Sequence, residues 1–482
     1  MTFSSILFLF FFLPAALLFC RYDVFIPPSV KRRMSVQTKK KHFKIENLFI
    51  LIFSLFFYGW GEPKYIVIMI FTILLNYICA LLIHSNRTKG KQGAAKAVLV
   101  VSVILNLGIL GFFKYFNFFL TNINNIFGLD IQFLKLALPI GISFYTFQTM
   151  SYTIDVYRND AKVQKNIINL AAYVTMFPQL IAGPIVRYQD VAEQLEYRDG
   201  TAEKFAQGVQ RFCIGLGKKV LLANNIGALW DTVKVMENPT VLSAWLGAFA
   251  FMFQIYFDFS GYSDMAIGMG KMLGFEFLEN FNYPYMARSV TDFWRRWHIS
   301  LGTWFREYVY IPLGGNRKGT ARQILNLLIV WGLTGFWHGA SWNFLCWGLY
   351  FGIILIIEKT FLLKRLQKAP VLVRRLYTLL CVMVGWVLFA FEDIGKGWAF
   401  LKVMFGGAAL CSSTAMYQLL SYLPLLTLCA VAALCGLWFV PPDTIGYDIC
   451  FSRRVLHLSC AGCGATRATY ALLHGDFGEA FR

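Results

Sequence analysis

The sequence predicts an all-α polytopic membrane protein, and three observations carry that reading. Hydrophobic residues make up 57% of the 482-residue chain and charged residues only 15%, with a mean hydropathy of +0.55, too little polar surface for a soluble domain. Apolar runs long enough to cross a bilayer recur along the chain, separated by short polar loops. The 45 Lys and Arg outnumber the 26 Asp and Glu, a formal charge of +19, and they collect in those loops. In a soluble protein such a balance would point to nucleic acid. Here it follows the positive-inside rule, so the expected partner is membrane lipid and not nucleic acid.

Residues 2 to 19 are apolar with no positive charge in front, and Arg21, Lys31, Arg32, Arg33, Lys39, Lys40, Lys41 and Lys44 follow. A cleaved signal peptide carries its charge first, so this run reads as a retained helix whose N-terminus is outside. Asn47 to Trp60 returns outward, Lys64 to Ile83 comes back, and Arg87, Lys89, Lys91 and Lys96 fill the next loop. Ala97 to Leu120 then exits, 121 to 130 holds no cation, and Leu136 to Val156 re-enters toward Arg158, Lys162 and Lys165. Five consecutive spans agree on one topology, with loops 31–44, 87–96 and 158–165 cytoplasmic. Pro139, Gly141, Pro178, Gly183 and Pro184 interrupt apolar segments. Each alone could kink a packing helix, but several together favour irregular backbone beside a cavity.

Glu203 to Trp230 reads as an interfacial helix, with Lys218 and Lys219 as ordinary inside-loop cations. Leu242 to Leu273 is apolar and is interrupted by the segment from Tyr256 to Asp264. Asp258 and Tyr262, four residues apart, share a helix face, whereas Asp264 is turned away. A carboxylate in such a run marks a functional path or caps and bonds a neighbouring helix. Ser289 and Asp292 resemble a capping box opening a helix on which Trp294, Trp297, Leu301 and Trp304 recur every three or four residues. Arg295, His298 and Arg306 fall on its other faces. Tyr310 to Lys318 is a turn around Gly314-Gly315, and the apolar run from Arg322 reaches His338 about four helical turns in. Trp342 to Ile357, Leu376 to Phe391 and Leu419 to Val440 are further spans, giving roughly ten to twelve in all, beside re-entrant and interfacial helices.

Soluble-type chemistry is excluded by what is missing. There is no Walker loop, dinucleotide fingerprint or His-Glu-x-x-His, and the segments from Gly261 and Gly339 lack the closing glycine of a nucleophile elbow. The informative residues are His298 and His338, each set among tryptophans in a segment otherwise suited to lipid. Imidazole exchanges a proton near neutral pH and is costly in such surroundings, so each is either a satisfied packing residue or a proton carrier for chemistry inside the membrane. Most of the 11 cysteines are dispersed singly as small buried residues, with no disulfide framework. Cys450, Cys460 and Cys463, with His457 or His474, could hold a metal, but their spacing fits no closed zinc site and a tight turn with reduced thiols is the simpler reading.

Three motifs carry a family resemblance: Leu51 to Pro63 (with Tyr58-Gly-Trp60-Gly-Glu-Pro63), Leu138-Pro-Ile-Gly-Ile-Ser-Phe-Tyr-Thr-Phe-Gln148, and Phe177-Pro-Gln-Leu-Ile-Ala-Gly-Pro-Ile185. With Trp337-His-Gly-Ala-Ser-Trp342, they resemble the alginate O-acetyltransferase branch of the membrane-bound O-acyltransferase (MBOAT) family, from about residue 2 to about 407. The resemblance implies an MBOAT-type core over 1–410, with His338 in the place of the family's catalytic histidine, His298 supporting it, and Asp258, Tyr262, Arg295 and Trp337 near the substrate channel. It implies acetyl transfer from a cytoplasmic acyl thioester such as acetyl-CoA, with no bound cofactor, toward an exported polysaccharide hydroxyl or a carrier protein outside, by direct attack or by relay through a partner, at the bacterial inner membrane. An extracytoplasmic SGNH-type esterase or acetyltransferase is the implied partner. D-alanyl transfer to teichoic acid is the alternative within the family, and a glycan or lipid transporter is the alternative outside it. The paired histidines distinguish the last, since transport needs no proton acceptor at the barrier. Residues 411–445 would form a membrane helix and junction. Residues 446–482, with Cys460-Ala-Gly-Cys463-Gly-Ala-Thr-Arg467, resemble a bacterial membrane domain of unknown function, cut short at Arg482.

Overall fold

A computed structural model describes residues 2–21, 36–134, 137–181, 183–198, 200–411 and 422, with side chains from residue 43 onward in the second helix. The chain there is helical, and its only β pairing among the described residues is an isolated bridge between Phe281 and Trp297. Among the described residues six helices are long and apolar enough to cross a membrane, and Phe8–Cys20 is a shorter apolar one. Their outward faces expose large apolar side chains such as Phe10, Phe56, Val67, Phe71 and Ile104, as lipid contact requires.

The first half is a bundle of α1 (Phe8–Cys20), α2 (Val36–Gly61), α3 (Ile66–Thr88), α4 (Gln92–Phe127) and α5 (Ile142–Arg158). Aromatic packing closes one side, with Phe12 centred 5.4 Å from Phe57 and 5.3 Å from Phe177. A polar ladder fixes the other. Asn76 on α3 and Asn106 on α4 exchange side-chain hydrogen bonds of 3.0 Å in both directions, Ser102 donates to Asn76 Oδ1 at 3.1 Å, and Thr149 of α5 donates to Asn106 Oδ1 at 3.2 Å. Lipid offers no apolar driving force between helices, so such bonds set which helices pair. Gly141, at φ 75°, starts α5, and the backbone breaks again at Met176, between α6 (Ile167–Thr175) and the single turn α7 (Phe177–Leu180). Proline and glycine therefore produce the irregular membrane backbone that the sequence implied.

After α8 (Tyr188–Glu196), α9 (Ala202–Gly217) leads through a π-helical turn, Lys218–Ala223, into α10 (Asn224–Lys234). α9 lies along α11 (Val241–Met272) in a glycine seam. A Cβ at Gly215 would stand 2.5 Å from Gly261 O, and one at Gly208 would stand 2.7 Å from Gly268 O. This approach corrects two expectations. The segment from Tyr256 to Asp264 does not interrupt its helix, because α11 runs through it unbroken. Lys218 and Lys219 are not loop cations: Lys218 meets Asp264 at 2.6 Å and Lys219 pairs with Asp258, while Arg211 reaches Asp264 at 2.6 Å. Carboxylates met in this way need no helix break to find a partner.

The second half gathers short helices around the site. α12 (Val290–Trp294) and α13 (Ile299–Phe305) are two pieces where the tryptophan spacing implied one helix. Ser289 Oγ caps α12 by accepting from Asp292 N at 3.0 Å, but the carboxylate of Asp292 accepts from Arg288 N at 3.1 Å, so the box is only half formed. The remaining first-turn donors are taken by Glu358, whose oxygens accept from Val290 N at 2.7 Å and Thr291 N at 2.8 Å. α14 (Thr320–His338) and α15 (Trp342–Ile357) pack against each other at a second glycine contact, where a Cβ at Gly335 would meet Phe344 O at 2.3 Å. α16 (Val371–Ala390) and α17 (Ile394–Met404) complete the described chain.

Candidate active site

His338 is the last residue of α14, and its ring stands between Trp347 of α15 (centroids 4.9 Å apart, 84°) and Phe389 of α16 (5.4 Å, 86°). Edge-to-face contacts on both sides fix the imidazole plane without engaging its nitrogens. Neither nitrogen has a hydrogen-bond partner among the described residues, and the ring faces a cavity of about 450 Å³.

His298 enters that cavity from the break between α12 and α13. Its backbone lies in the left-handed region, φ 48° and ψ 53°, a conformation that costs a non-glycine residue about 1–3 kcal/mol and concentrates at functional sites. Asn280 holds it there: Asn280 O accepts from Ile299 N at 3.0 Å, and Asn280 Oδ1 lies 3.2 Å from His298 Nδ1 and accepts from Ser300 Oγ at 2.9 Å. An amide oxygen opposite Nδ1 assigns the proton to Nδ1, leaving Nε2 as a buried acceptor with no protein partner among the described residues. Phe259 meets the ring edge-on at 4.8 Å.

Of the residues singled out in the sequence, His298, His338, Asp258, Tyr262 and Trp337 line this one cavity. Arg295 does not. It lines a second cavity of about 420 Å³ together with Arg306 and Lys359, and the two cavities share Trp297 and His298 in their walls. Asp258 is paired with Lys219, and among the described residues no carboxylate forms an ion pair with either histidine. Cys450, Cys460 and Cys463, with His457 and His474, lie outside the described residues, within which no cluster of three or more His, Cys, Asp or Glu could hold a metal ion.

Two site residues escaped the sequence reading. Asn280 sits in a segment with no periodic signal and meets His298 only because the chain folds back on itself at the Phe281–Trp297 bridge. Lys114 did carry a signal, as a lone cation inside the apolar run of α4. It lines the histidine cavity and donates to Ser143 Oγ at 3.1 Å and to Trp337 O.

Fold and site define the class, a multi-pass helical membrane protein in which two histidines line one cavity among the helices. Comparison with known proteins places it within that class. The profile of the membrane-bound O-acyltransferase family matches residues 158–392, and a family described as a protein of unknown function, DUF2752, matches residues 450–482. The probable alginate O-acetylase AlgI of Pseudomonas aeruginosa is 42% identical over 409 residues, covering 84% of this chain and 75% of the relative. The peptidoglycan O-acetyltransferase of Helicobacter pylori is 35% identical over 444 residues, covering 85% and 81%. The teichoic acid D-alanyltransferase of Bacillus subtilis is 28% identical over 234 residues, covering 45% and 58%. The chain belongs to the membrane-bound O-acyltransferase family and is a multi-pass membrane acyltransferase.

Proposed function

We propose that this protein O-acetylates a cell-surface polysaccharide at the bacterial inner membrane, taking acetyl from a cytoplasmic thioester, with His338 as the general base. The observation that carries this reading is the shared wall. His298 borders both the cavity containing His338 and the second cavity lined by Arg295, Arg306 and Lys359. Three cations suit the phosphate groups of a carrier-borne thioester, and the acyl carbon would then lie at the histidines. An acceptor hydroxyl is a poor nucleophile until a positioned base takes its proton, and the nitrogens of His338 are open to the cavity for that task. As the acceptor oxygen bonds the carbonyl carbon, His338 takes the hydroxyl proton; the carbon–sulfur bond then breaks and the thiolate leaves with that proton. His298, with Nδ1 held by Asn280 and Nε2 buried without a protein partner among the described residues, orients substrate or tunes His338.

Acetyl transfer is favoured over D-alanyl transfer by the two O-acetyltransferase relatives, each matched over more than four fifths of this chain. An extracytoplasmic SGNH-type protein is the expected partner, receiving the acetyl group where transfer runs by relay and not by direct attack, and residues 446–482 would be an accessory module outside the acyltransferase core of 1–410. Mild alkaline hydrolysis of surface polymers from wild-type and deletion strains tests the reading. Acetate should be released from the wild type and lost in the deletion; release of D-alanine in its place would move the assignment to teichoic acid modification, and unchanged acetate would refute it.

A further inference from the structure

Lys114 is a cation in an apolar membrane helix whose charge is not met by a carboxylate. The contrast with its neighbours is direct: Lys218, Lys219 and Arg211 each pair with Asp258 or Asp264, whereas the described partners of Lys114 are neutral, namely Ser143 Oγ at 3.1 Å and the carbonyl of Trp337. The ammonium also lies over the Trp337 ring, 5.5 Å from its centroid. An ammonium carries three N–H donors, so two protein bonds leave one for the cavity that Lys114 lines with His338. Keeping such a charge at membrane depth is expensive unless negative charge arrives there. The bond to Trp337 O also places it next to the base, since Trp337 immediately precedes His338.

We propose, on the acyltransferase reading above, that Lys114 is a catalytic residue that donates a hydrogen bond to the thioester carbonyl oxygen as it becomes an oxyanion. When the acceptor oxygen bonds the carbonyl carbon, the carbonyl π pair moves onto oxygen and Lys114 Nζ–H holds the charge. His338 takes the acceptor proton, and as the carbonyl re-forms the carbon–sulfur bond breaks and the thiolate takes the proton from His338. Lys114 gives up no proton. A fixed donor of this kind in a site shielded from water stabilises the transition state more than the ground state.

The competing role is structural. Trp337 O and Phe336 O are carbonyls of the last turn of α14, and Lys114 and Tyr115 bond to them, Tyr115 at 2.7 Å, so Lys114 could merely cap that helix. Full-length wild type, Lys114→Gln, Lys114→Met and Lys114→Arg, each in lipid nanodiscs at matched protein level, separate the two. The readouts are acetyl transfer from acetyl-CoA and binding of S-acetonyl-CoA, an unreactive ketone analogue. Lys114→Gln keeps a neutral donor for the Trp337 carbonyl but loses the charge. The proposal expects Lys114→Gln and Lys114→Met to lose about 100- to 1,000-fold in kcat with KM for acetyl-CoA and analogue affinity unchanged, and Lys114→Arg to recover part of the rate. Near-wild-type kcat in Lys114→Gln, a loss confined to KM, or loss of analogue binding in Lys114→Gln would each overturn it. A wild type inactive with acetyl-CoA, while Lys114 variants still bind the analogue, would instead overturn the acetyl-transfer reading on which the proposal rests.

Discussion

His298 differs from His338 in how it is held. His338 is gripped by ring contacts and keeps both nitrogens open, whereas His298 stands on a left-handed backbone with one nitrogen committed to Asn280. Asn280 thus sets the tautomer of His298, and exchanging it removes that control while leaving the imidazole present. Asn280→Ala is expected to lower kcat by about 10-fold or more, the scale of a lost orienting partner, without reaching the loss in His338→Ala. Steady-state transfer rates of both variants at equal protein level check this; an Asn280→Ala rate equal to wild type would remove Asn280 from the site. Both histidines were legible in the sequence because a titratable ring among tryptophans is conspicuous in an apolar chain. Asn280 was not, since an asparagine acquires meaning only from what the fold brings opposite it. The ion pairs of Asp258 and Asp264 were hidden for the same reason, because their lysines lie more than thirty residues earlier.

At the level of helices, composition announced which segments are apolar but not where backbone must bend. The tryptophan and leucine spacing from Trp294 to Trp304 fitted one helix, yet the chain breaks at His298 so that its ring enters the cavity. Periodicity cannot register that break, because three- and four-residue spacing survives in each fragment. Conversely, the polar residues from Tyr256 to Asp264 suggested an interruption that α11 does not make. The glycines of α9 and α11 explain the difference, since they bring the Lys218 and Lys219 backbone close enough to meet both carboxylates. Gly215→Leu would push a side chain into Gly261 O, which a Cβ alone approaches to 2.5 Å. Its cost should reach or exceed the top of the ~1–3 kcal/mol range of overpacking. A clearly lowered melting temperature in detergent, or failure to accumulate in the membrane, is the expected result, and an unchanged melting temperature would mean that the seam is not tight.

Over the whole molecule, the alternation of cations with apolar runs predicts one orientation in the bilayer. The segments 87–96 and 158–165 are cytoplasmic on this account, and α4, whose last turns run to Phe127, carries the chain outward. Impermeant thiol labelling of intact cells should therefore mark a cysteine placed at Asn124 and spare one placed at Lys162; the reverse pattern would invert the topology. Arg158, at the start of the second of these segments, donates to Glu307 O at 3.2 Å, next to Arg306 of the second cavity, which fits the proposed role of its cations in receiving a cytoplasmic donor.

The most direct test of the central claim is acetyl transfer by His338→Ala, expressed to wild-type level and supplied with the same thioester and acceptor. Loss of a general base typically costs about 100- to 10,000-fold, so product should fall by at least the lower figure while the protein stays folded and keeps its affinity for S-acetonyl-CoA. Near-normal transfer by that variant would contradict the assignment of His338 and with it the mechanism built on this cavity.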